Sequence, residues 1–304
     1  MVKKQQENTN LNKLQIWKVI GVFAFVFAAV QLAVVVFGVG INYLMRLINA
    51  SENLRVFVGT TISRTGMITA ILLISIPAIR AILNPPILNS IYPPTKYWWK
   101  DLLVGFGISA VAMIIIFLIE IIFGWISVSG FSLEGAPWDN WLRVIWLSLL
   151  VNLTAAVGEE VLYRGLLFEG IKQAWDERGA FLISAIIFGA SHIAVTGAKE
   201  THWLQFIPLL ALPGIMLGWA YVKSGNLWLP TGLHFAWNLF QDDILNLTGE
   251  HSGDTLFGLI TKVHGPKWFV GTSYGIEVGA AGILCLLIAS GGIWIWMRNR
   301  ENRS

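Results

Sequence analysis

The chain has 304 residues, of which 55% are hydrophobic and only 13% are charged. Its mean hydropathy of +0.65 is too high for a water-soluble domain, and it has too few charged side chains to cover one. The net charge of +3 does not indicate a nucleic-acid partner, because the basic residues form short clusters between apolar runs. We therefore expect an all-α fold, a polytopic membrane helix bundle that contacts membrane lipid.

Apolar runs of about 20 residues, the length that crosses a bilayer as a helix, predict about eight transmembrane helices. The first contains 27 uncharged residues between Lys18 and Arg46, longer than the apolar part of a signal peptide, so we expect it to stay in the membrane. The predicted spans form one transmembrane domain, 17–297. It lies between a cytoplasmic N-terminal segment, 1–16, and a cytoplasmic tail, 298–304. The predicted spans are 17–45, 65–84, 102–125, 141–168, 179–198, 203–222, 224–241 and 275–297.

The basic residues predict the orientation of the bundle. With the N-terminus inside, 14 of the 21 Lys and Arg residues lie on the cytoplasmic side and 7 lie outside, so both termini should be cytoplasmic. One conflict remains, since the loop that this arrangement places outside after the first span contains Arg46, Arg55 and Arg64. We expect the membrane to be a bacterial cell membrane, because the chain is short and no appended domain is evident.

The rest of the chain has features that are ordinary in a membrane protein. Many of the tryptophans fall near predicted span ends, where their rings prefer the headgroup level. The only cysteine, Cys285, lies in an apolar run, which excludes an internal disulfide and a thiolate zinc site. The polar stretch 241–274 is the longest loop, and we expect it to cover one mouth of the bundle.

Ionisable side chains at membrane depth cost at least ~2.5 kcal/mol each, so they indicate function by default. Three predicted spans each carry a pair of residues spaced four apart, which places the pair on one helix face. At ~1.5 Å per residue, Glu159, His192 and His234 lie about 15, 21 and 16 Å from the inner ends of their spans. One shared buried site is therefore expected. The pairs are Glu160 and Arg164, Phe188 and His192, and His234 and Asn238.

Such a site favours hydrolysis, with or without a metal. A carboxylate and two imidazoles, here Glu159, His192 and His234, are ligands that Zn²⁺ prefers, and a catalytic zinc keeps its fourth position for water. Without a metal, a Glu–His pair can act as a general base. His234 and Asn238 can donate hydrogen bonds to an oxyanion.

Other readings of the same side chains stay open at this point. Arg164 can hold Glu160 ionised, or it can be purely structural and extend towards the inner interface. Phe188 can be a packing residue. The other acid deep in an apolar run, Glu120, has no matching motif and is expected to pair helices or lie at the interface.

These residues carry a resemblance to a known family. The segments E-E-V-L-Y-R (159–164), F-G-A-S-H (188–192) and H-F-A-W-N (234–238) are similar to its motifs E-E-x-x-x-R, F-x-x-x-H and H-x-x-x-N/D. The family is that of CAAX prenyl proteases and bacteriocin-processing enzymes, the Abi, CPBP or type II CAAX endopeptidase group of intramembrane metalloproteases. The resemblance covers about residues 140–240.

The resemblance implies a helical membrane core in which Glu159 and His192 activate water, while His234 and Asn238 hold the oxyanion or a metal. The expected activity is hydrolysis of a peptide bond in a membrane-associated peptide or protein, lipidated or not. Two other classes of function stay open. One is a proton-coupled transporter that uses the same groups as a relay, although the chain shows no inverted repeat. The other is a non-catalytic scaffold or immunity protein that binds a peptide in the same pocket.

Overall fold

A computed structural model describes residues 2–82, 98–196, 207–249, 255–272 and 275–301, most of them helical. Two segments, Val161–Phe168 and Leu239–Ile244, are π-helical and continue the helices before them. A short 3₁₀ turn, Ile276–Val278, precedes the last helix. The helices are α1 (Val2–Leu47), α2 (Glu52–Ile82), α3 (Trp98–Ile122), α4 (Trp138–Glu160), α5 (Glu169–Ala174), α6 (Glu177–Thr196), α7 (Ile207–Ser224), α8 (Trp228–Asn238), α9 (Lys267–Val270) and α10 (Ala280–Glu301).

The chain is an integral, multi-pass membrane protein by the length and apolarity of its helices. Each of the eight predicted spans overlaps a helix, and residues 83–84, 197–198 and 203–206 of those spans lie outside the described residues. Among the described residues, five segments are long and apolar enough to cross a membrane, and 209–224 is a shorter apolar helix. The five segments are 16–47, 52–78, 98–122, 138–174 and 280–300.

The predicted start of the second span was wrong. Helix α2 begins at Glu52 rather than near residue 65, so Arg55 and Arg64 lie on the helix and not in a loop. Both side chains line a cavity between α1 and α2. A long Arg side chain can keep its charged end in a polar space while the helix continues through an apolar environment. The uncharged run in the sequence therefore predicted a start for this helix that lies too late in the chain.

The prediction of a purely α-helical fold missed a two-stranded antiparallel ribbon. Strand β1 (Ile126–Phe131) pairs with β2 (Leu259–Val263), with Ile126 opposite Val263 and a bulge between Val128 and Gly130. The strands are short, and more than 120 residues separate them in the chain. No tight turn joins the two strands, so the sequence contains no hairpin signal that would predict their pairing. The ribbon fixes part of the predicted loop 241–274 against the end of α3.

Helices α3 and α8 cross at two glycines. A Cβ on Gly105 would lie 2.3 Å from the Leu229 carbonyl oxygen, and a Cβ on Gly232 would lie 2.1 Å from the Leu102 carbonyl oxygen. Small residues let helix backbones approach closely in membranes, where the hydrophobic effect does not drive helices together. This close approach fixes α8, which carries His234 and Asn238.

We expect Gly105→Ala to lower the thermal stability of the protein in detergent, by about 1–3 kcal/mol, the usual cost of an overpacked contact. The reason is that the new methyl group meets backbone atoms of α8, which cannot rotate away. Gly107→Ala, on the same helix, is the matched control, because nothing lies within 4 Å of a Cβ at that position. Thermal unfolding followed by tryptophan fluorescence measures both variants, and equal stability would contradict the proposed crossing.

Candidate active site

The first motif lies where α4 changes into a π-helix. Glu159 and Glu160 end α4, and Arg164 lies in the π-helical segment that follows. The second π-helical segment begins immediately after Asn238. Segments of π-helix are rare and frequently occur at functional sites. Sequence spacing alone predicted a continuous α-helix at both places.

A buried carboxylate, that of Glu160, joins two of the predicted motifs. Its Oε1 atom accepts hydrogen bonds from Arg164 Nη1 at 2.8 Å and from His234 Nδ1 at 2.9 Å. The residues are 0%, 2% and 6% exposed, respectively. Arg164 also donates to the Gly214 carbonyl oxygen at 3.3 Å and lies over the Phe188 ring. A charge buried this deeply requires such partners, so Glu160 and Arg164 hold His234 in place.

Glu159, in contrast, faces a cavity. Its Oε2 atom, like the Oε2 atom of Glu160, has no hydrogen bond within the described ranges. The Glu159 Oε2 atom lies 3.9 Å from His192 Nε2 and 3.8 Å from His234 Nε2. The Glu159 side chain is 32% exposed and the His192 side chain 37% exposed, although the Oε2 atom itself is buried. The structure thus brings residues of all three motifs to one point.

The hydrogen bonds of the two histidines define which ring nitrogens face Glu159. His192 Nδ1 lies 2.8 Å from the Phe188 carbonyl oxygen, which can only accept, so Nδ1 carries a proton. His234 Nδ1 donates to the Glu160 carboxylate. When neutral, each ring therefore has its lone pair on Nε2. Both Nε2 atoms are directed towards the same Glu159 oxygen.

The position of His192 is supported by the turn of α6 before it. Ser191 donates to the same Phe188 carbonyl oxygen at 2.7 Å, and the Tyr163 hydroxyl donates to Ser191 Oγ at 2.5 Å. The Phe188 ring packs against His192 with a centroid distance of 4.3 Å and lies 6.2 Å from the His234 ring. Phe188 therefore fills the space between the two imidazoles, which agrees with its interpretation as a packing residue.

Two cavities meet at this cluster. The larger has a volume of about 660 Å³, lies between the α1–α2 pair and α4, and includes Glu159 and His192 in its wall. The smaller, about 50 Å³, is lined by both histidines, Asn238 and Glu277. The Asn238 side chain makes no hydrogen bond with any part of the chain that the structure describes. Its amide lines the smaller cavity and does not belong to the Glu160 network.

Glu277 is a site residue that the sequence did not indicate. Its Oε1 atom accepts a hydrogen bond from Trp237 Nε1 at 2.6 Å, and its Oε2 atom is buried without a hydrogen-bond partner among the described residues. It lies in the 3₁₀ turn before α10. In the sequence this position is at the edge of a predicted span, where an acidic residue is expected to lie at the membrane interface. No residue near it in the chain belongs to a motif, so sequence gives no signal for it.

Asp243 also has a role that the sequence did not indicate. Its Oδ2 atom accepts hydrogen bonds from Ser148 Oγ at 2.5 Å and Asn152 Nδ2 at 2.6 Å. Asp243 is 2% exposed, although it was predicted to lie on an outer loop. It joins α4, which ends at the two glutamates, to the π-helical extension of α8. The sequence signal for this contact was Asn152, a polar residue two turns before Glu159 on an otherwise apolar helix.

The donor types of Glu159, His192 and His234 suit zinc, but their spacing does not form a closed site. Ligands on a tetrahedral zinc, each about 2.0–2.1 Å from the metal, are about 3.3 Å apart. The two Glu159–His distances are 3.8 and 3.9 Å. In the described part of the chain, no group of three or more His, Cys, Asp or Glu side chains is arranged to hold a metal ion.

The two adjacent glutamates should respond differently to loss of charge. We expect Glu160→Gln to lower the unfolding free energy by about 3–5 kcal/mol, because it leaves the buried Arg164 with an uncompensated charge. Glu159→Gln removes no hydrogen bond to a described residue and serves as the matched control, with stability close to that of the wild type. Thermal unfolding in detergent measures both, and equal losses would show that the contacts of Glu160 to Arg164 and His234 do not stabilise the fold.

Comparisons with known proteins give a family for the segment that carries the site. No curated protein and no solved structure matches the chain. Residues 141–240 match the family described as type II CAAX prenyl endopeptidase Rce1-like. This segment contains all three motifs and ends just after Asn238. The match confirms the predicted resemblance: over residues 141–240, the chain is similar to the Rce1-like family of type II CAAX prenyl endopeptidases.

Proposed function

We propose that the chain is an intramembrane endopeptidase in which Glu159 and His192 activate a water molecule. The observation that carries this proposal is the Glu159 carboxylate, which lies less than 4 Å from two imidazole Nε2 atoms in the wall of a large cavity. Its Oε2 atom is buried and makes no hydrogen bond to a described residue. A carboxylate and an imidazole that converge in this way can accept the proton of a bound water.

The reaction follows from these positions. Glu159, assisted by the lone pair of His192 Nε2, accepts a proton from water while the water oxygen attacks the carbonyl carbon of the substrate. The C–N bond then breaks, and Glu159 returns the proton to the nitrogen of the leaving amine. This sequence conserves protons and leaves Glu159 ionised for the next cycle.

The negative charge on the carbonyl oxygen needs hydrogen-bond donors that are already in position. His234 lies between Glu160 and Glu159, two carboxylates that favour a proton on each of its ring nitrogens, and Nε2 can then donate. The Asn238 side chain, in the wall of the smaller cavity next to both histidines, supplies a second donor. Glu160 and Arg164 act through His234, because they fix its ring.

The proposed substrate is a membrane-associated peptide or protein, in agreement with the family match and with a cavity of about 660 Å³ whose walls are largely apolar. Such a cavity can also take a lipid chain attached to the peptide. We further propose eight spans and cytoplasmic termini, on the evidence of the apolar runs and the distribution of basic residues.

As an alternative to the metal-free reaction, zinc binding by Glu159, His192 and His234 is proposed on donor chemistry alone. Glu159 and His234 would then be ligands and not a proton acceptor and a hydrogen-bond donor. A bound zinc would supply a Lewis acid and a more acidic water. For all three groups to bind one zinc ion, each imidazole must move about half an ångström closer to the Glu159 carboxylate. Glu160 would then support His234 from behind, as carboxylates commonly support metal-binding histidines.

Loss of either water-activating group should abolish cleavage. We expect Glu159→Gln and His192→Ala to reduce turnover of a labelled peptide library in proteoliposomes by at least about 100-fold, the usual contribution of general base catalysis. His264→Ala is the matched control, since His264 contacts Ser127 on the ribbon and lines neither cavity. Turnover by both variants at the wild-type rate would end the protease proposal.

The same assay separates the two alternative functions. Peptide binding without turnover in the wild type would indicate a scaffold or immunity protein. Proton or solute flux through the wild type, lost in both site variants, would indicate a transporter.

The metal content tests the zinc proposal directly. We expect about one zinc per chain in the wild type after dialysis and a clear loss in His192→Ala and His234→Ala, because each variant removes one of three ligands. Elemental analysis of the purified protein measures this without an activity assay. Equal zinc content in the wild type and both variants would contradict these ligands.

A further inference from the structure

The larger cavity has a cationic wall that the proposed chemistry does not use. Residues of one face of α2 line it at helical spacing, and two of them, Arg55 and Arg64, are arginines. On the opposite side, α1 contributes the polar side chains of Gln31 and Asn42. The part of the cavity next to Glu159 is apolar on the α2 side, where Met67 and Ile71 lie. The cavity therefore has a positively charged end away from Glu159, while its α2 side next to Glu159 is apolar.

The Arg64 side chain has no close partner for its charge among the residues that the structure describes. It is partly buried on a helix that is apolar enough to cross a membrane, and its guanidinium makes no hydrogen bond or ion pair with a described residue. Glu159, in the wall of the same cavity, attracts it only at longer range. Charged side chains at membrane depth are costly and normally have a close partner or a ligand. A guanidinium that lines a cavity without such a contact is therefore a binding group for an anion.

The packing of α2 on α4 gives the axial separation between the backbone position of Arg64 and the level of Glu159. Ile71 Cδ1 lies 2.5 Å from the position of a Cβ on Gly158, the residue before Glu159. Nearer the start of both helices, Trp146 Nε1 donates to Thr61 Oγ1 at 3.2 Å, so the two helices run in the same direction. Arg64 is seven residues before Ile71, which is about 10 Å along the helix axis. An extended peptide covers about 10 Å with three residues.

We propose that Arg64 binds an acidic side chain of the substrate, about three residues from the bond that is cleaved, and that this contact selects the substrate. The cavity continues beyond Arg64 to Arg55 and Asn42, so the substrate chain has room to extend past this point. The anion is therefore assigned to a side chain rather than to the end of the chain. This inference rests on the proposed peptidase function.

The position of the two arginines also bears on the predicted orientation. Lys and Arg are normally concentrated in cytoplasmic loops, and the predicted arrangement placed Arg55 and Arg64 in an outside loop. Both instead lie on α2 and line the cavity, so they are not loop residues that mark the topology.

The test compares peptides that differ by one charge. Fluorogenic peptides carrying Glu, Gln or Lys at the second to fifth residue on either side of the cleaved bond are given to the full chain in proteoliposomes. Each peptide is made with a free and with an amidated C-terminus. For wild type, we expect Glu near the third residue to lower KM by about ten-fold relative to Gln, as a charge-assisted hydrogen bond would. In Arg64→Gln this preference should vanish with kcat little changed. In Arg64→Glu, Lys at the same position should be preferred.

Arg143→Gln is the matched control, because Arg143 hydrogen-bonds to Asn140 and lines neither the larger nor the smaller cavity. The inference is overturned if the Glu preference survives in Arg64→Gln, if Arg143→Gln loses it equally, or if the preference follows the free C-terminus instead of the side chain.

Binding of the same peptides to Glu159→Gln protein separates this inference from the proposed function. Failure of the wild type to cleave any peptide contradicts the peptidase function but does not affect the binding measurement. Tighter binding of the Glu peptide, lost when Arg64→Gln is added, supports the acidic subsite. Equal binding of the Glu and Gln peptides overturns it.

Discussion

The site depends on one buried carboxylate that holds two cationic or protonated side chains. Glu160 accepts from Arg164 and from His234 through the same oxygen, and its exposure to solvent is 0%. In a low-dielectric interior, removing one member of such a set leaves an uncompensated charge, so the three residues form a unit. The unit joins α4 and its π-helical extension to α8. Glu159, one residue earlier in the chain, is left to face the cavity.

This arrangement gives two consecutive glutamates different surroundings. Glu160 is fully buried and its Oε1 atom is engaged by Arg164 and His234, whereas Glu159 lies in the wall of the larger cavity with its side chain 32% exposed. The helices that carry these groups are held by other means. The α3–α8 glycine crossing fixes one side of α8, and Asp243 ties its π-helical extension to Ser148 and Asn152 on α4.

The parts of the structure that depend on short sequence windows could be predicted. Each predicted span overlaps a helix, because about twenty apolar residues are visible in the sequence by themselves. The spacing of four placed Glu160 beside Arg164 on one helix face. Depths that agree within about one helical turn suggested that His192 and His234 lie near Glu159. The π-helical segments did not alter these contacts enough to separate the groups.

The parts that depend on contacts between distant residues could not be predicted in this way. Strands β1 and β2 acquire their partners only in the folded chain, and Glu277 reaches the site through a turn far from every motif. The start of α2 was placed too late because Arg55 and Arg64 read as loop residues when the cavity that accommodates them is unknown. Asp243 looked solvated for the same reason, since its partners are more than 90 residues away.

The ribbon has a consequence for how the protein can be divided. Strand β2 and Glu277 both follow residue 240, where the family match ends, yet one pairs with the strand after α3 and the other lines a cavity at the site. The larger cavity, in turn, takes much of its wall from α1 and α2, which precede the match. Residues 141–240 are therefore not an autonomous module that could be excised or transplanted into another bundle, because both flanks of the chain complete the chamber around them.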